Sequence, residues 1–424
     1  MHLANNLQKV HGVLNIQHWN TEQGVPVYFV RTPHIPMFDL QLIVNAGSAH
    51  DGEQSGLAYF TNALLNEGTT QLSADELAQA FEEKGAEFSV SSYRDMATLS
   101  VRSLNQLDIL NDIVETFSQV ISQPAFFEKA LKRMKSQLFT ALQYEAQRPD
   151  IIAKKLFFSQ LYGQHPYAKG IKGTPQSIES FTREAVESFY QKYYVAQNAQ
   201  LVLVGALTLE QAQEIAQKVS SVLPHGHEAQ PLPEPETPLF LHPVKESFPA
   251  EQMHIMMGTL AIKRGDPDFF ALSLGNHILG GNSTVTRIFN EIRHKRGLAY
   301  DVYSYIMPMK AQGPFIIGMQ TKASQATQAL EILQSTLKDF VQNGPSELEI
   351  QQAKLNILGG YHLLFDSNKA IMANLSMLAF YNFPLQYFDE YKNKIQAITS
   401  EAIKAVFQKR IHPDNMLTVM VGPN

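Results

Sequence analysis

Leu57, Phe60, Leu64 and Leu65 recur at the spacing of one buried side of a helix. Ser55 can cap that helix and Gly68 stands near its end, so the pattern predicts a helix through about Asn66. Phe88–Tyr93 and Tyr300–Tyr305 are β-rich, and each is followed by a second strand candidate, Ala97–Val101 and Pro314–Gly318. The run from Leu201 to Leu207 has the length and apolarity of a buried strand. Helical periodicity covers about 107–122 and 126–146, then about 324–342 and 346–365. Ile288, Phe289 and Ile292 give a further helix an apolar side that Gly297 can terminate.

These elements come in the same order twice. Tyr190–Gly205 and Phe407–Gly422 each read as a helix, a short polar turn and an apolar strand ending at glycine. Gln, Lys, Asn, two Val and the final Gly fall in register between them. The offset of roughly 215 residues is a whole domain, not a solenoid repeat. Between the halves lies a proline-rich stretch that cannot be regular structure, because proline fixes φ and removes a donor. The expected organisation is therefore a domain at 14–222, a linker at 223–243 and a second domain at 244–424. Strands preceding grouped helices make each an α+β domain with helices packed on a sheet.

Composition narrows the function classes. Hydrophobic residues are 44% of the 424, enough for large cores, and the net charge of −6 comes without a basic block. That argues against nucleic acid and against strong binding to acidic membranes. The absence of cysteine excludes disulfides, thiolate catalysis and cysteine-bound zinc. No apolar run reaches the ~18 residues of a membrane span, and Met1–Val10 lacks the apolar core of a signal peptide.

Two segments carry candidate chemistry. The first is Gly56-Leu-Ala-Tyr-Phe-Thr-Asn-Ala-Leu-Leu-Asn-Glu-Gly-Thr69. Tyr59, Asn62 and Ala63 stand at i, i+3 and i+4, where side chains converge on one helix face. The second is Leu279–Ser304, which contains Arg293 and, seven residues on, Tyr300. A guanidinium and a phenol are suitable donors to a peptide carbonyl or to an oxyanion that develops during hydrolysis. His50-Asp-Gly-Glu53 reads as a polar loop and Gly280-Gly281 as a tight turn before a helix. His225, His227 and Glu228 cluster in the linker, where only adventitious metal binding is expected.

Both segments resemble the insulinase-like (M16) peptidases. The first resembles their inverted zinc motif, H-x-x-E-H, with Tyr59, Asn62 and Ala63 at its three functional positions. The family's third ligand, a glutamate on a later helix, falls at Ser136 or Gln137. None of these is a normal zinc ligand, so no metal and no cofactor is expected in this chain. The second segment resembles the signature in which an arginine and a tyrosine face the zinc site from the opposite domain. The resemblance covers nearly the whole chain from about Leu14. It implies two homologous α/β-sandwich domains of the LuxS/MPP-like metallohydrolase fold, facing each other across a cavity.

That resemblance implies a non-catalytic subunit of a two-chain zinc peptidase. The expected partner is an M16 subunit with intact H-x-x-E-H, which would hold the zinc. Arg293 and Tyr300 would support a peptide or unfolded-polypeptide substrate, and the compartment expected is the bacterial periplasm, with the cytoplasm as the alternative. Two other readings are a proteolytically inactive peptide-binding or structural core-type subunit, and a metallopeptidase using other ligands.

Overall fold

Strands and grouped helices alternate along the chain twice. The computed structural model describes residues 7–236, 239–240 and 242–423. The first half contains β1 (Gln8–Val10), β2 (Ile16–Asn20), β3 (Pro26–Arg31), β4 (Met37–Val44), α1 (Leu57–Leu64), α2 (Ala74–Glu82), β5 (Glu87–Ser92) and β6 (Ala97–Leu104). There follow α3 (Leu107–Ser122), α4 (Glu128–Glu145), α5 (Pro149–Tyr162), α6 (Pro175–Ser180), α7 (Arg183–Tyr193), β7 (Ala199–Gly205) and α8 (Leu209–Ser221). The second half contains β8 (Val244–Ser247), β9 (Gln252–Ile262), α9 (Phe269–Asn276), α10 (Arg287–Phe289), β10 (Ala299–Ile306) and β11 (Gly313–Lys322). It closes with α11 (Ala326–Asn343), α12 (Glu347–Gly359), α13 (Asn368–Phe380), α14 (Tyr387–Ala397), α15 (Ser400–Arg410) and β12 (Leu417–Gly422).

Two expected boundaries shift. The helical run expected at 346–365 breaks after Gly359 and resumes as a 3-10 turn, Tyr361–Phe365. Adjacent Gly359 and Gly360 supply no side chain to hold a helix together. Gly280-Gly281 is not a tight turn before a helix. It closes a π-helical turn, His277–Gly281, that continues directly from α9.

The duplication is written in the sheets. The first sheet has the order β1-β2-β3-β7-β4-β6-β5 and the second β10-β11-β9-β12-β8. Omitting the β1–β2 hairpin and reading the second backwards, β3-β7-β4-β6-β5 corresponds to β8-β12-β9-β11-β10. The polarity agrees too: β3 with β7 and β8 with β12 are the parallel pairs, and the other pairs are antiparallel. In the first sheet Phe29, Leu40, Leu42, Leu99, Leu201 and Leu203 pack with Phe60, Phe117, Phe189 and Ile215 of the helices. In the second, Ile255, Met257, Phe315 and Ile317 pack with Leu272, Leu333, Phe340 and Phe407.

The chain forms two compact units, and their make-up departs from the continuous halves 14–222 and 244–424. One unit runs up to Leu142 and adds Lys169–Pro231 and His362–Asp389. The other comprises Gln143–Ala168, Leu232–Tyr361 and the chain from Glu390. Each half thus lends the other a helix. In the second unit α5 packs on β9 and β12. A Cβ on Gly258 of β9 would lie 2.6 Å from Phe157 Cζ, so only glycine lets that ring approach the strand. Tyr162 Oη donates to the Gln312 carbonyl at 3.0 Å and anchors the end of the helix.

In the first unit α13 packs on β7 and β4. Ser376 Oγ donates to Gln41 Oε1, and Thr32 Oγ1 donates to Asn368 Oδ1 at 2.8 Å. Ile371, Leu375 and Leu378 are buried there, each worth roughly 1.5–3 kcal/mol of hydrophobic stabilisation. No helix among the described residues is long and apolar enough to cross a membrane.

Candidate functional site

Helix α1 is set in place by a group that the hydrophobic pattern does not reveal. Its N-cap position is Gly56, not Ser55, and Gly56 has φ +92 with the Lys172 and Gly173 backbone 2.7 Å from where a Cβ would stand. The buried N–H groups of Gly56 and Ala58 at the helix start are taken by Asp51. Its Oδ2 accepts from Gly56 N at 2.6 Å and its Oδ1 from Ala58 N at 2.7 Å. Burial pushes the Asp51 carboxyl up to about 7, against the pull of those two N–H groups and the charge of Lys169. Ser55 instead donates its hydroxyl to the Gly170 carbonyl. The helix ends at Leu64, two residues before Asn66.

The three motif positions have different environments. Asn62 is fully buried and its amide is bonded at both ends. Nδ2 donates to the Ser91 carbonyl at 2.9 Å and to Ser92 Oγ at 3.1 Å, and Oδ1 accepts from Tyr194 Oη at 3.0 Å. Tyr194 is itself fully buried, and burial raises its phenol, with Tyr190 adding to the effect. Tyr59 is half-buried against the core, and Ala63 is half-buried with no donor atom. Ser136 and Gln137 lie exposed on α4.

These residues do not fit zinc. The amide at position 62 is committed to the strand and to Tyr194, and position 63 has nothing to coordinate with. Among the described residues, no three His, Asp or Glu side chains group as a metal site would need. In the linker, exposed His225 Nδ1 is bonded to Gln197 Nε2 at 2.9 Å.

Arg293 and Tyr300 lie together in the second unit. Arg293 belongs to a π-helical turn, Asn290–His294, that continues from α10. Such turns mark helices whose side chains are displaced from regular spacing, often at functional positions. Gly297 has φ +62, and the chain then enters β10, the edge strand of its sheet. Ala299 pairs with Thr321 but Asp301 pairs with Gln320, so Tyr300 is the extra residue of a β-bulge. The bulge leaves Tyr300 76% exposed. The Arg293 guanidinium stacks 4.4 Å from the Tyr300 ring centre, and its Nη1 donates to the Tyr300 carbonyl.

A second arginine fixes the start of this segment. Arg287 Nε and Nη2 grip Glu349 of α12 at 2.6 and 2.7 Å, and Nη2 also donates to the Gly344 carbonyl. Burial pushes the Glu349 carboxyl up, but Arg287 and the Ser346 donors outweigh it and hold it down at about 2. Asp51, Tyr194 and Arg287 were all missed in the sequence. The available signals were an acidic residue just before α1, and an arginine at the head of the Arg293 segment.

Comparison with known proteins places these features in one context. Residues 27–175 match the family model described as insulinase (peptidase family M16), and residues 180–357 match the one described as peptidase M16 inactive domain. The chain is similar to a Helicobacter pylori protein named non-peptidase homolog YmxG, with 26% identity over 89% of this chain and 87% of that one. It is similar to a Bacillus subtilis protein named uncharacterized zinc protease YmxG, with 22% identity over 96% and 98% of the two chains. A solved Pseudomonas fluorescens structure, described as a peptidase M16 inactive domain, superimposes with a TM-score of 0.94. It is 39% identical and covers 97% of this chain and 98% of its own.

Proposed function

The chain belongs to peptidase family M16 as an inactive member, and from that premise we propose that it is the non-catalytic subunit of a two-chain zinc peptidase. The observation that carries the reading is the contrast between the two motif segments. At position 62 a buried amide bonded on both sides stands where the motif would have a water-activating glutamate. At positions 293 and 300 a half-buried arginine stacks on an exposed phenol at a bulged sheet edge. One half has been converted to structure while the other still offers donors to a ligand.

In this reading a partner subunit with intact H-x-x-E-H holds the zinc and carries out hydrolysis. The substrate is a peptide or an unfolded segment. Arg293 and Tyr300 donate hydrogen bonds to its carbonyl groups, or to the oxyanion as charge develops there. The Tyr300 hydroxyl makes no hydrogen bond with another described residue, and the guanidinium has donors beyond the one given to the Tyr300 carbonyl. The proposed setting is the bacterial periplasm.

The test is co-expression with a zinc-motif M16 chain from the same genome. The pair is expected to co-purify and to cleave peptides, while this chain alone does neither. Arg293→Ala and Tyr300→Phe are expected to lower kcat/KM of the pair at least about tenfold, the equivalent of 1.4 kcal/mol or more of transition-state stabilisation. Both variants should still assemble. Absence of a complex, or full activity in both variants, would sink the proposal.

A further inference from the structure

The open end of the seven-stranded sheet gathers basic side chains on one face. Lys9 of β1 pairs with Gln17 of β2, and Gln17 pairs with Phe29 of β3. Phe29 lies in the core on the helix side, so Lys9 and Gln17 share that side, where strand residues alternate. Arg31, two residues on from Phe29 in β3, shares that side too, while His11 and Asn15 stand in the hairpin between β1 and β2. These five residues line a cleft of about 390 Å³ together with Val10, Ile16 and Pro33. No carboxylate lines it among the described residues, although the chain as a whole carries a net charge of −6. The acid found to interact with Lys9 is Glu210, in the first turn of α8 and outside the lining.

From this arrangement we infer that the cleft binds the phosphate group of a phosphate monoester. Lys9 supplies a compact charge, Arg31 a planar fork of donors, and Asn15, Gln17 and His11 further donors. A single carboxylate offers two oxygens and one charge. A phosphate monoester offers three terminal oxygens and close to two charges, and so engages the whole set. The volume leaves room for the organic part of the ester, whether it is a free metabolite or a lipid headgroup.

The chain carries its own reporter. Trp19 is its one tryptophan, is buried, and lies two residues along β2 from Gln17 on the same face, roughly 7 Å away. Full-length protein would be titrated with glycerol 3-phosphate, inorganic phosphate and acetate at fixed ionic strength, with Trp19 emission as readout. Co-sedimentation with phosphatidylcholine vesicles, plain or doped with phosphatidic acid, forms the second arm.

Saturable binding of glycerol 3-phosphate, at least about tenfold tighter than acetate and weakened about tenfold by Lys9→Gln or Arg31→Gln, supports the site with a free ester as source. The same dependence seen only with phosphatidic acid vesicles supports it with a lipid source. Lys84→Gln, at a residue paired with Asp112 outside the cleft, should leave binding unchanged. Lack of saturable binding in both arms would overturn the inference. So would equal affinity for acetate, or indifference to both substitutions. If Arg31→Gln fails to fold, Lys9→Gln carries the test.

Discussion

At the scale of single residues, Asn62 shows how a catalytic position can become a structural one. Its amide ties α1 to β5 and to Tyr194, so the helix is held by hydrogen bonds within the protein. Asn62→Leu removes these bonds and strands a buried Tyr194 hydroxyl. It is expected to cost about 2–4 kcal/mol in urea unfolding, and Tyr194→Phe about 1–2 kcal/mol. The double variant should cost less than the sum, because each single change already breaks the shared bond. Additive effects would mean that the Asn62–Tyr194 bond contributes little. Spacing put Tyr59, Asn62 and Ala63 on one helix face, and the resemblance to the M16 zinc motif made them readable as its changed positions. The partner of Asn62 was not, because Tyr194 lies 132 residues away in sequence.

At the scale of elements, the Arg293 segment is fixed through α12. The Arg287–Glu349 grip joins the head of that segment to the capping box of α12, where Ser346 and Glu349 exchange hydrogen bonds. Glu349 is held at about 2, below the ordinary glutamate value near 4.3. Its contribution to stability is therefore complete above the ordinary value and is lost as pH falls toward 2. Wild type should exceed Glu349→Gln in stability by about 2 kcal/mol at neutral pH, a value already reduced for the partial exposure of the pair. The gap should close between about pH 5 and pH 2. A pH-independent gap in unfolding free energy would contradict this account. Periodicity located α3, α4 and α11, and β-rich or apolar runs located β5, β6, β7, β10, β11 and β12 but not β1–β4, β8 or β9. It could not locate the bulge at Tyr300, because one extra residue leaves the composition of β10 unchanged and shows only in its pairing with β11.

At the scale of the whole molecule, the reciprocal loan of α5 and α13 decides how the chain holds together. The sequence displayed the repeat and the proline-rich stretch between its copies. It did not display the loan, because an apolar helix face does not specify which sheet it meets. Phe157 and Phe158 on α5 would suit either sheet by composition alone. Chains 1–231 and 232–424 made separately are each expected to lack the cooperative unfolding of the full chain, since each sheet loses a covering helix. Mixing the two should restore it. Independent, stable folding of either piece, measured by calorimetry, would contradict that expectation.

The loan also bears on synthesis. Phe157 leaves the ribosome roughly 100 residues before Gly258, about 5–20 s at ordinary elongation rates. Throughout that interval the growing chain displays an aromatic helix with no sheet yet made to receive it, so the nascent protein is a natural client for a holdase.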